Sequence, residues 1–362
     1  MISQFCKDTA GERDFGALYR RLGYKRFRMS RFEEYSLYAE NRSFLVSDRV
    51  ITFNEPGGRL MALRPDVTLS IAKSCPDGGG IQKLYYNENV YRVDESSGEF
   101  REIMQSGLEC MGDVDVYSVC EVLMLAARSL DMISADRVLD ISDISILGAV
   151  LDDAGLRDGA RKQALGLFEA KNAHGLRALY ASCGADPEKA ELACEISQMY
   201  GKPDALIPRL KEILPAAALP ALGELEEINA LLSEMGVGGV MLDFSIVNDM
   251  HYYNGLTFRG FVSGSPRAVL SGGRYDNLMS RLGKNAKANG FAVYLAAIES
   301  IGRAPEWDVD VKLVYDGSVT PAQLIARVRE LTDEGKSVRA VKGNAGEIRA
   351  RETEYLGKGA AE

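Results

Sequence analysis

IQKLYYNENVYRVD (residues 81–94) and EFREIMQSGLECMG (residues 99–112) read as two long antiparallel strands joined by a loop from Asp94 to Gly98. Side chains alternate across a strand, so Glu88, Val90 and Arg92 share one face of the first strand. Ile103, Gln105, Gly107 and Glu109 share one face of the second. A core face does not carry Gln, Gly and Glu in succession. A glycine between two polar side chains clears space above the sheet, which suits a small polar ligand. The hairpin predicts a sheet and the floor of a binding site together.

Before the hairpin, RDFGALYRRL (13–22) has helical spacing with Phe15, Leu18 and Leu22 on one face, and KRFRMSRFEEY (25–35) continues as an extended segment. VSDRVITF (46–53) and GRLMALR (58–64) predict two short strands around the turn Asn54-Glu55-Pro56-Gly57-Gly58. Arg64-Pro65-Asp66 then opens a helix, with Pro65 near its first position and Asp66 at its positive end. After the hairpin, Asp115 to Met132 predicts an amphipathic helix, and RVLDISDISILGAVL (137–151) a strand running into another helix. Between Asp153 and Met235 the pattern is almost wholly helical, with breaks at Gly184, Pro187, Gly201-Lys202-Pro203 and Pro215. Strand character returns at GGVMLDFSIV (238–247), LTFRGFV (256–262) and AVLSGG (268–273), followed by helices in NLMSRLG (277–283) and AVYLAAIES (292–300). Beyond Pro305, WDVDVKLVYDG, TPAQLIARVRELTDEG and KSVRAVKG predict a short β-α-β unit. The expected class is α+β, an antiparallel sheet flanked by helices. Residues 1–152 and 236–304 form the two parts of its core, 153–235 a helical insertion and 305–362 a short C-terminal α/β segment.

Composition narrows the function classes. The chain of 362 residues carries 52 acidic and 43 basic side chains, a formal net charge of −9. A nucleic-acid binder draws most of its affinity from cations that displace counterions, and the cations here form only short clusters such as Arg20, Arg21, Lys25, Arg26 and Arg28. No nucleic-acid partner is expected. No apolar run approaches the roughly 20 residues of a membrane span, and the polar start MISQFCKDTAGERDF lacks a signal-peptide core, so a cytoplasmic protein without membrane attachment is expected. The six cysteines are scattered without a CxxC pair, and only His174 and His251 supply imidazole, so neither disulfides nor a metal site is expected.

Phosphate-cradling and hydrolase motifs are missing: no P-loop, GxGxxG, HExxH or GxSxG occurs. What remains is a constellation of Asp66, Thr68, Arg92, Arg101, Gln105, Glu109, Tyr252, Tyr253 and the run Gly272-Gly273-Arg274-Tyr275-Asp276. Carboxylates and hydroxyls over a sheet suit a zwitterion, whose ammonium pairs with carboxylate and whose carboxylate pairs with arginine. Of Tyr252 and Tyr253, alternation allows only one into such a pocket.

Several segments together resemble one family. LRPDVT (63–68), YYNENVYR (85–92) with FREIMQSGLE (100–109), HYYNGLTF (251–258) and GGRYD (272–276) are similar, in order and spacing, to segments of histidyl-tRNA synthetases over roughly residues 10 to 302. The resemblance implies a class II aminoacyl-tRNA synthetase catalytic-domain fold. It also implies a histidine-like pocket formed by Asp66, Thr68, Gln105, Glu109, Tyr252, Tyr253 and Tyr275, with Arg92 and Arg101 on the former ATP side.

The departures point away from catalysis. Where active members of that family carry RGLDYY, this chain has Asn248-Asp249-Met250-His251-Tyr252-Tyr253, replacing an arginine by Asn248 and an aspartate by His251. Where they carry GFAMGLER, it has GFAVYLAA, with Tyr294 in a glycine position and Ala297 in place of a second arginine. Each lost preorganised cation typically costs about two to three orders of magnitude in rate. No catalytic residue, cofactor or metal is therefore expected.

This profile resembles the regulatory-subunit family of ATP phosphoribosyltransferase, which acts in the first step of histidine biosynthesis. The resemblance implies a partner, a short-form ATP phosphoribosyltransferase catalytic subunit, in a hetero-oligomer, by family a hetero-octamer. It implies also a homodimer through the class II core and histidine as effector. The alternatives are a divergent class II enzyme that adenylates an amino acid, against which Asn248 and Ala297 stand, and a tRNA-binding sensor, against which the acidic balance stands.

Overall fold

The computed structural model describes residues 14–45, 49–76, 78, 80–94, 97–247, 253–299, 301, 307–343 and 348–357. Two compact units emerge, Ala10–Ile301 and a second that includes Gly302–Glu362.

In the larger unit, helix α1 (Phe15–Arg20) is capped by Asp14, whose carboxylate accepts the Ala17 N–H at 2.8 Å. Strand β1 (Lys25–Arg26), strand β2 (Phe32–Glu34), helix α2 (Tyr35–Glu40), strands β3 (Thr52–Asn54) and β4 (Leu60–Leu63) and helix α3 (Thr68–Ser74) follow. The long hairpin is β5 (Gln82–Val93) and β6 (Phe100–Gly112), paired residue for residue from Gln82↔Met111 to Val93↔Phe100. Next come α4 (Val116–Asp131), β7 (Arg137–Asp143) and α5 (Ile144–Asp153). The helical stretch consists of α6 (Asp158–Glu169), α7 (Ala173–Ser182), α8 (Pro187–Gln198), the two-residue β8 (Tyr200–Gly201), α9 (Pro203–Ile213) and α10 (Leu219–Glu234). The unit closes with β9 (Val240–Asp243), β10 (Leu256–Val262), β11 (Leu270–Arg274), α11 (Asp276–Arg281), β12 (Lys287–Tyr294) and α12 (Leu295–Glu299).

Nine strands form one sheet in the order β1-β5-β6-β12-β11-β10-β7-β9-β8. The six central strands pair antiparallel, and parallel pairing appears toward the edges, between β1 and β5 and between β7 and β9. The sheet is thus mixed at its margins. Its two faces bury different clusters. Tyr85, Leu108, Cys110, Phe291 and Val293 join the large core under α4, α5 and α10, while Tyr86, Val90, Met111 and Ala288 join a smaller core with residues of α2, α3 and α11. A separate small sheet, β2-β4-β3, lies beside α2.

Three expectations are corrected. AVYLAAIES is not one helix: residues 287–294 form β12, because pairing with β6 and β11 in the sheet centre overrides a local pattern that also fits a helix. The helix after LRPD begins at Thr68, with Pro65 outside it, and Asp66 caps it by accepting the Leu69 N–H at 2.8 Å. The strand expected over 46–53 is confined to Thr52–Asn54 within the described residues.

The second unit holds β13 (Val309–Tyr315), α13 (Pro321–Asp333) and β14 (Val338–Lys342), the expected β-α-β, plus a further strand β15 (Ala350–Leu356) parallel to β13 on its other side. A capping box between Thr320 and Gln323 starts α13. Among the described residues no helix is long and apolar enough to cross a membrane.

Candidate functional site

Sheet register builds the site. Across the smaller-core face, Glu109 lies opposite Gly290, which lies opposite Gly273. One step along, Tyr86 lies opposite Gly107, then come Ala292, Ser271 and Arg259; a further step places Tyr294 opposite Gln105. Directly opposed residues point to the same face. A strip of glycine, alanine and serine is thereby framed by Tyr86, Glu109, Gln105, Tyr294 and Arg259. The glycines are sterically required: a Cβ on Gly290 would stand 1.9 Å from Glu109 Oε2, and one on Gly107 would stand 2.5 Å from the Tyr86 hydroxyl. Over this strip opens a cavity of about 360 Å³, walled by Phe44, Leu45, Asp66, Thr68, Arg92, Tyr253 and Tyr275.

Glu109 is the centre of its polarity. It is 1% exposed, and its two oxygens accept separate hydroxyls, Thr68 Oγ1 at 2.7 Å and Tyr275 OH at 2.5 Å. Burial pushes its carboxyl up to about 8, the Asp66 charge adds to that, and the two hydroxyl donors oppose it. Asp66, also buried, is raised by desolvation and restrained by the Leu69 N–H and by the Arg92 charge. Arg92 Nε donates to the Pro65 carbonyl at 3.0 Å, fixing its guanidinium beside Asp66. Behind the cavity wall, fully buried Arg64 binds the Ser30 and Asn89 carbonyls at 2.7 Å each and Glu88 at 3.0 Å, so LRP is held by its own arginine.

The raised Glu109 value makes stability pH-dependent with a definite sign. Between its ordinary value of 4.5 and about 8 the folded chain holds a proton that the unfolded chain has lost, so this contribution to stability is full at low pH and declines as pH rises through that window. Glu109→Gln, which mimics the protonated acid, is expected to flatten the decline by up to about 1 kcal/mol per pH unit. Thermal melts of both chains between pH 5 and 8 check it; equal slopes would contradict it.

Of the residues singled out in the sequence, Asp66, Thr68, Arg92, Gln105, Glu109, Tyr253 and Tyr275 all line this one cavity. Arg101 does not. It sits opposite Arg92 in the hairpin, but near the hairpin tip, where it pairs with Glu99 at 3.2 Å and Asp94 at 3.8 Å. Tyr252, His251 and Asn248 lie outside the described residues. Tyr294 enters the cavity and its hydroxyl lies 2.5 Å from Ser271 Oγ, while Ala297 is on α12 and packs against the large core. Sequence reasoning passed over Arg259, Ser271 and Tyr86. Arg259 had a signal, as the one charged side chain in the strand LTFRGFV. Phe44 and Leu45 come from a turn outside every motif and had none.

A buried carboxyl on a sheet of this topology, reached by hydroxyls from a helix start and a following strand end, sits on a class II synthetase-type fold. The family model described as histidyl-tRNA synthetase matches residues 3–298. The chain is 32% identical over 295 residues to an ATP phosphoribosyltransferase regulatory subunit of Anaeromyxobacter sp. (strain Fw109-5), covering 79% of this chain and 86% of the relative. Two solved structures share the fold. One is an ATP phosphoribosyltransferase regulatory subunit/histidyl-tRNA synthetase from Bacillus halodurans (TM-score 0.77, 21% identity, 94% of this chain and 91% of that one). The other is an ATP phosphoribosyl transferase complex from Thermotoga maritima (TM-score 0.61, 20% identity, 78% of this chain and 94% of that one). The chain belongs to the histidyl-tRNA synthetase family, in its branch of ATP phosphoribosyltransferase regulatory subunits.

Proposed function

We propose that this chain is a non-catalytic, cytoplasmic subunit that switches on a short-form ATP phosphoribosyltransferase and transmits inhibition by histidine bound in the cavity over its sheet. The observation that carries the loss of synthetase chemistry is Tyr294, whose side chain occupies the cavity and whose hydroxyl is tied to Ser271, with Ala297 on the following helix. The acid pole at Asp66 and Glu109 stays intact, so the amino-acid side of the pocket outlasts the nucleotide side. The Anaeromyxobacter relative's name and the Thermotoga complex support the catalytic partner. A homodimer through the class II core has support in the small sheet, where exposed Phe32 and Phe53 stack edge-on at 5.4 Å as an apolar surface patch. By family resemblance two kinds of subunit assemble as a hetero-octamer, with no nucleic acid.

The reading is tested by pyrophosphate exchange and co-purification. The purified chain with ATP and histidine is expected to show no exchange above blank, and to co-elute with a short-form catalytic subunit. Robust exchange with any amino acid would establish the adenylating alternative instead.

A further inference from the structure

We propose that Tyr294 is the size stop of this cavity: it confines the ligand to a free amino acid and shuts out the same amino acid carrying a bulky group at its carboxyl end. The proposal rests on the reading that the cavity takes histidine. Alternation turns residues 271 and 273 of β11 and residues 288, 290, 292 and 294 of β12 toward the cavity face of the sheet. These are Ser271, Gly273, Ala288, Gly290, Ala292 and Tyr294. Five small residues keep the floor low, and a single large one rises at its end. Tyr294 stands four residues beyond Gly290, roughly 13 Å along the strand at the usual rise. Its side chain leans back over the floor, because its hydroxyl meets the Oγ of Ser271, which lies opposite Ala292. Burial, and after it the neighbouring Tyr294 phenol, hold the Tyr253 hydroxyl well above its ordinary value. The tip of Tyr294 therefore lies near the ring that roofs Gly273.

The space left over, about 360 Å³, is at the small end of the roughly 300–1,000 Å³ of small-molecule sites. Asp66 and Glu109 are acid groups at the opposite end, so a bound amino acid turns its nitrogens toward them and its carboxylate away, toward Ser271 and Tyr294. Of the two hydroxyls there, one donates to the other, and the second keeps a proton to offer an oxygen of the ligand. A free carboxylate fits against that pair. A ring attached to the carboxyl end meets the Tyr294 phenol instead, which can yield only by breaking its bond to Ser271.

Calorimetric titration of the full chain with L-histidine, L-histidinamide and L-histidine β-naphthylamide tests this. The two amides carry the same charge and differ in the aromatic bulk on the amide. Wild type is expected to bind the naphthylamide at least about 10-fold more weakly than histidinamide. Tyr294→Ala should raise the affinity for the naphthylamide, relative to histidinamide, about 10- to 100-fold. Tyr294→Phe keeps the ring without its hydroxyl and should hold the wild-type ratio within about threefold. The size stop is overturned, while the cavity reading stands, if wild type binds both amides equally, if Tyr294→Ala leaves the ratio unchanged, or if Tyr294→Phe raises it as much as Tyr294→Ala. If wild type does not bind L-histidine, the cavity reading falls and this inference with it.

Discussion

Glu109→Ala is expected to reduce histidine binding at least about 100-fold and to destabilise the folded chain by roughly 2–4 kcal/mol. Two losses combine. The ligand loses a buried carboxyl that holds its proton in the empty site below about pH 8 and that a bound cation would draw into its charged form. The protein also loses the carboxyl that accepts the Thr68 and Tyr275 hydroxyls and ties the helix start to the strand end across the cavity. Glu109→Gln separates the two effects. It keeps a polar bridge between the hydroxyls and so preserves most of the stability, yet cannot supply negative charge, so binding of a cationic group should fall with either substitution. Titration calorimetry together with urea unfolding of the two variants checks both parts. Glu109→Ala with wild-type affinity would remove the acid pole from the account.

Gly290→Ala is expected to be equally damaging from the other side of the same contact, at a cost of at least about 2 kcal/mol and with loss of ligand binding. The new Cβ would stand 1.9 Å from Glu109 Oε2 and 2.4 Å from the Leu108 carbonyl. One obstacle is a carboxylate that can swing only by breaking its bond to Tyr275, and the other is backbone of the adjacent strand, which cannot move without opening the β6–β12 ladder. The Gly290 backbone is not in the left-handed region, so the cost is steric and not conformational. Denaturant midpoints compare it with Gly223→Ala at an exposed position of helix α10, where a Cβ meets nothing within 4 Å and the helix should gain slightly. Equal midpoints for the two would contradict the packing described here.

The β5–β6 hairpin was legible because its alternation runs over a dozen residues without a break and polar groups recur on one face. That Gln105 and Glu109 are buried, at 4% and 1% exposure, was not legible. Their cover comes from Leu45, Thr68 and Tyr275, far away in the chain, and a strand pattern says which face a residue takes but not what lies over it. β12 was missed for a related reason. Residues 287–294 lead into a helix with no turn signal between them, and only partners near residues 105–112 and 270–274 fix them as a strand. Arg101 shows the limit in the other direction: the resemblance put it beside the pocket, but its place near the hairpin tip pairs it with Glu99 and Asp94 away from the cavity lining. Tyr275 was found through GGRYD, and the structure gives the glycines separate reasons: Gly273 shares the face of Glu109 and leaves room for Tyr253, while Gly272 leaves room for Phe258 and Phe291 on the other face.

The most direct measurement is the phosphoribosyl-transfer rate of a short-form ATP phosphoribosyltransferase catalytic subunit titrated with this chain. The catalytic subunit alone is expected to show a rate near zero, with a saturable rise of at least about two orders of magnitude as the chain is added, suppressed by histidine in wild type but not in Glu109→Ala. A catalytic subunit that gains no activity at any ratio of the two chains would contradict it.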